Sequence, residues 1–102
     1  MTATPEFEVQ VHGDHQIDHA EREYARTKVA RVAKRARGPI LFAKVDLHDE
    51  ANPSWSRPAQ AKAVLDVNGS VVRAHVGAPT LHEAIDLLEA RLLHRLEHRS
   101  HH

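Results

Sequence analysis

The stretch Ala59-Gln60-Ala61-Lys62-Ala63-Val64-Leu65-Asp66-Val67-Asn68-Gly69-Ser70-Val71-Val72-Arg73-Ala74-His75-Val76 decides the fold. Asn68-Gly69 is the pair preferred in a two-residue type I′ hairpin turn, where both central residues need positive φ. A two-residue loop fixes the register: Val67 opposite Ser70, Leu65 opposite Val72, Ala63 opposite Ala74 and Ala61 opposite Val76. In that register the apolar residues share one face, while Lys62, Asp66, Arg73 and His75 share the other. A slip of one residue would turn the apolar set into water. The stretch therefore predicts strands over 59–67 and 70–76, in a sheet with one apolar and one polar face.

Toward the N-terminus, Leu41, Ala43, Val45 and Leu47 alternate with Phe42, Lys44, Asp46 and His48, which predicts another strand with Leu41 on the apolar side. Phe7-Glu8-Val9-Gln10-Val11 alternates in the same way, and Gly13-Asp14 ends it. Between these two strands, Asp18 followed by Glu21 has the spacing of a capping box. Tyr24, Ala25, Val29, Val32 and Ala36 then recur at helical spacing, and Gly38-Pro39 is a stop signal. Residues 49–58 contain Pro53 and Pro58 and read as a loop. After the hairpin, Thr80-Leu81-His82-Glu83 forms a second capping box. Leu81, Ala84, Ile85, Leu88, Leu92 and Leu96 make an apolar helical stripe behind it.

The order is thus β-α-β-β-β-α, an α+β class like that of double-stranded-RNA-binding domains. The first helix should be a right-handed crossover between parallel strands. With one apolar sheet face, both helices should pack there, their outer surfaces side by side. A length of 102 residues fits one domain with a core over about 7–99. Phe7, Tyr24, Phe42 and Trp55 are the only aromatics, so aliphatic residues must fill that core. Lack of cysteine excludes disulfides and thiolate metal sites and suits a reducing cytosol. The first six residues lack the basic and apolar regions of a signal peptide, and no apolar run approaches the ~20 residues that span a bilayer.

Net charge is zero, yet unevenly spread. Residues 1–18 hold four acids and no Lys or Arg, whereas residues 19–37 hold seven bases against Glu21 and Glu23. That asymmetry points to a polyanionic partner, because fields act locally. On the first helix Arg22 and Arg26 are one turn apart, and Lys28, Arg31 and Arg35 form an adjoining strip, with Lys34 nearby. On the second, Arg91, Arg95 and His98 align, with His94 and Arg99 beside them, while Glu83, Asp86, Glu89 and Glu97 fall largely on the other flank. Two neighbouring helices can present these residues as one RNA-binding surface, driven by counterion release. The competing explanation is that exposed helices simply carry solvated charges.

Three other features carry less. The outer sheet face has too few aromatics to stack bases, leaving charge and shape as the means of contact. Trp55 could stack on a base or fold over the sheet edge. His94-Arg95-Leu96-Glu97-His98 has the H-x-x-E-H spacing of inverted zinc peptidases. Such enzymes need a further ligand and a cleft, and here a helix end is expected at that place. The expectation is therefore a non-catalytic chain with no cofactor or metal, and with neither a membrane nor a small molecule as partner.

Arg22-Glu23-Tyr24 followed by Lys28 and Arg31 resembles the R-E-Y-x-x-x-K-x-x-K stretch in the first helix of bacterial ribosome hibernation-promoting factors. Val67-Asn68-Gly69, Arg73-Ala74 and Ala84-Ile85-Asp86-Leu87-Leu88 resemble the family's later strands and last helix. The resemblance implies a cytoplasmic protein that binds small-subunit ribosomal RNA where mRNA and tRNA would sit, silencing ribosomes under stress or in stationary phase. It implies contact roles for Lys28, Arg31, Arg91 and Arg95, while His94 and His98 stand where relatives usually carry Lys or Arg. Longer members add a C-terminal dimerising domain, so a dimer is expected only if such a domain follows. The alternative is a protein-interaction module of the same fold without RNA binding.

Overall fold

The hairpin takes the register that its turn dictates. In the computed structural model, which describes residues 7–49 and 58–99, β3 (Ala59–Val67) and β4 (Ser70–Ala78) pair antiparallel, with Val67 opposite Ser70 and Ala61 opposite Val76. Asn68 and Gly69 have φ of 53° and 92°, and the Gly69 amide donates to Asp66 Oδ1 at 2.8 Å. The neighbouring Gly38-Pro39 segment supports the turn, since the Asn68 amide donates to the Pro39 carbonyl at 2.8 Å. The loop carrying Trp55 lies outside the described residues.

β2 (Ile40–Asp49) pairs antiparallel with β3 and parallel with β1 (Val9–Gly13), so the sheet order is β1-β2-β3-β4. The crossover between the parallel strands is α1 (His19–Lys34). Its capping box is complete: Glu21 N–H donates to Asp18 Oδ1 at 2.8 Å and Asp18 N–H donates to Glu21 Oε1 at 3.1 Å. α2 (Leu81–Arg99) starts with half a box, the Glu83 amide donating to Thr80 Oγ1 at 3.2 Å. α1 packs over β1 and β2, and α2 over β3 and β4, on the same sheet face. Small sheet residues there (Ala59, Ala61, Ala63, Ala74 and Ala78) let the large residues of α2 approach closely. Leu81, Ile85, Leu88, Leu92 and Leu96 are all buried against them.

Three expectations need correction. Leu41 is not on the apolar face; it is 61% exposed. Ile40 pairs with Val67 and Phe42 with Asp66, so Leu41 is the extra residue of a β-bulge that reverses the alternation. The first strand begins at Val9 rather than Phe7, because its register would set Phe7 against the bulged Leu41. The first helix stops before Ala36: Arg35 and Ala36 donate to the carbonyls three residues back, tightening the last turn. Ala36 still packs on the core from beyond the helix.

Candidate nucleic-acid interface

The two helices lie side by side and run in the same direction. Tyr24 meets His82 and Asp86, Lys28 meets Asp86 and Glu89, and Arg31 meets Glu89. Tyr24 is the hub of this seam. Its hydroxyl donates to the Asp86 carboxylate, and its ring stacks on His82 with centroids 4.0 Å apart. Lys28 Nζ lies 3.2 Å from Glu89 Oε1, 3.4 Å from Asp86 Oδ1 and 5.3 Å from the Tyr24 ring centroid. The Tyr24 hydrogen bond, with help from Lys28, holds the Asp86 carboxyl below the usual carboxylate range. The same bond raises the Tyr24 phenol, and the bond to Glu89 raises the Lys28 ammonium.

This seam divides what was expected to be one basic surface. Asp86 and Glu89 sit on the flank of α2 that faces α1, so Lys28 and Arg31 are paired across the helices. Arg26 is paired with Glu23 on its own helix. Arg22 braces the backbone that leads into α1. Its Nη2 donates to the Asp14 carbonyl at 2.9 Å and the Gly13 carbonyl at 3.3 Å, and its Nε to the Ile17 carbonyl at 3.2 Å. Lys34 and Arg35 are exposed at the end of α1 and form no ion pair among the described residues. Being near the negative end of the helix dipole, they are favoured there as cations.

The other flank of α2 is different. Arg91, His94, Arg95 and His98 face β4 across a groove of about 540 Å³, and Arg73 of β4 completes its wall. Among the described residues that wall contains no carboxylate. His94 and His98 have ring centroids 4.0 Å apart, and His98 Nδ1 is 2.9 Å from the His94 carbonyl oxygen. Arg99 is the last residue of α2. Among the described residues no group of three or more His, Asp or Glu is arranged to hold a metal, and no helix is long and apolar enough to cross a membrane. Arg73 was missed as a candidate. Strand alternation already turned it outward, but only the packing of α2 beside β4 brings it to Arg91 and Arg95.

Comparison with known proteins agrees with the fold. A structure of a ribosomal subunit interface protein from Coxiella burnetii superposes with a TM-score of 0.71 at 21% identity, covering 91% of this chain and 97% of that one. The N-terminal domain of Protein Y from Thermus thermophilus also gives 0.71, at 27% identity, covering 88% of this chain and 94% of that one. No curated protein matches the sequence. The family described as sigma 54 modulation protein / S30EA ribosomal protein matches over residues 9–102. With nearly the whole chain matched and the β-α-β-β-β-α fold in place, this protein belongs to that ribosome-associated family.

Proposed function

We propose that the chain is a ribosome hibernation factor: it binds small-subunit ribosomal RNA in the channel used by mRNA and tRNA and silences translation under stress. The observation that carries this reading is the Arg-lined flank of α2, whose groove holds no carboxylate among the described residues, in a member of a ribosome-associated family. Guanidinium groups on a rigid helix are suited to phosphate, pairing with it through forked, charge-assisted hydrogen bonds. Lys34 and Arg35 add charge at the end of α1 and Arg99 on α2, while His94 and His98 offer ring nitrogens beside Arg91 and Arg95. Lys28, Arg31 and Arg26 contribute only by exchanging their carboxylate partners for phosphate, and Arg22 by leaving its carbonyls. The function is non-catalytic, uses no cofactor and belongs to the cytoplasm, where ribosomes work.

Co-sedimentation with purified small subunits tests the reading, with and without a saturating mRNA fragment. The protein should pellet with the subunits and be displaced by mRNA. Pelleting that mRNA leaves unchanged would remove the channel from the proposal, and no pelleting would favour the protein-interaction module.

A further inference from the structure

The positive surface continues past the α2 groove. β4 is an edge strand of the sheet, and Arg73 and Arg95 line a second groove of about 500 Å³ as well as the first. This second groove opens on the outer sheet face and includes Lys62, Lys44 and Asp46. The register sets Lys62 opposite His75 and Val64 opposite Arg73, so Lys62 and Arg73 occupy adjacent rows of the polar face. Lys44 has a partner in Asp46 at 3.8 Å. Lys62, Arg73, Arg91 and Arg95 form no ion pair with any described residue. Neighbouring strands are only about 4.8 Å apart, inside a Debye length of roughly 8 Å, so the fields of Lys62 and Arg73 add, offset in part by Asp46 opposite Lys62.

We infer that the RNA-binding surface wraps around the β4 edge, with Arg73 and Lys62 engaging the phosphate backbone of the same RNA that Arg91 and Arg95 hold. The inference rests on the RNA-binding reading above and carries it to a sheet face outside the two helices. Charge complementarity identifies the occupant. The strip joins two grooves in which, among the described residues, basic side chains outnumber the one carboxylate, that of Asp46. With few exposed rings on this face, a structured RNA would be held by its backbone rather than by stacked bases.

The test is the salt dependence of binding to purified small subunits, measured for the full chain and for a Lys62→Gln/Arg73→Gln variant. Each lost phosphate contact lowers the slope of log affinity against log salt by about one. The double variant should therefore lose about two from the parent slope and bind at least about tenfold more weakly at low salt, with an unchanged melting temperature. A slope and affinity equal to the parent's would overturn the edge-wrapping surface, while a drop in an Arg91→Gln/Arg95→Gln variant would leave the helical site standing. A parent that fails to bind the subunits at all would overturn both.

Discussion

Gly69 sits at φ 92°, a conformation that β-branched residues rarely adopt. A Cβ built on it would touch nothing within 4 Å, so the demand there is conformational and not one of space. Gly69→Val should cost about 1–2 kcal/mol, lowering the melting temperature by at least ~4 °C, whereas Gly69→Asn should recover much of the loss because Asn tolerates positive φ. Lys62→Gln, exposed on the outer face, should leave melting unchanged. Equal melting of Gly69→Val and the parent would refute the turn. Asp86 sets a second expectation. Its carboxyl is held low by Tyr24 and Lys28, so it stabilises the fold above the ordinary carboxylate range, and that stabilisation is lost as pH falls through the depressed value. Asp86→Asn should lower stability at neutral pH by no more than ~1 kcal/mol, since solvent screens the half-exposed carboxylate. The gap from the parent should begin to narrow at about pH 4 and close as pH falls through the depressed value. Thermal melts at neutral and acid pH check this, and a gap of constant size would show that the carboxylate charge is irrelevant.

α2 carries two jobs on opposite flanks, one closing the seam with α1 and the other facing the β4 groove. Its apolar stripe was legible because 3.6-residue periodicity exposes it directly: all six residues of the stripe are buried. Which neighbour each polar flank meets was not legible, because periodicity sorts residues into strips without saying what lies beside them. Asp86 and Glu89 therefore looked like a remote acidic flank, and pair with α1 instead. β2 shows the limit of alternation in the same way: one bulged residue at Leu41 reverses the pattern at the strand's start. Separating the two jobs gives a sharp expectation. Arg91→Glu with Arg95→Glu should abolish pelleting with small subunits while leaving circular dichroism and melting unchanged, because both side chains are exposed and neither joins the seam. An unchanged bound fraction would remove α2 from the interface.

The topology itself was readable from the hairpin and the two capped amphipathic segments, since each element has only one apolar face to bury and the sheet offers only one apolar side. Four residues of the candidate groove, Arg91, His94, Arg95 and His98, were readable as a strip on α2, whereas Arg73 and the shape of the groove were not. Charge counting found Arg91 and Arg95, yet zero net charge and a seam of mutual ion pairs conceal how little of the positive charge on α1 is available. The working charge is local, and binding should fall steeply with salt. If about six phosphates are engaged, affinity for small subunits should drop about 10³-fold between 50 and 200 mM salt. Titrations across that range measure it, and a flat response would exclude phosphate contacts as the source of affinity.

The open edge of β4 also bears on solubility. A strand whose outer hydrogen-bonding groups face solvent is a template on which another chain can add, the first step toward aggregation. Arg73 and His75 stand at outward positions on that strand. A second copy adding antiparallel about Arg73 would bring two guanidinium groups face to face, which disfavours the pairing. The side chain assigned to phosphate is thus also the one that keeps this edge from finding its own kind. In the proposed complex RNA would cover the edge; free in solution, it is guarded by charge.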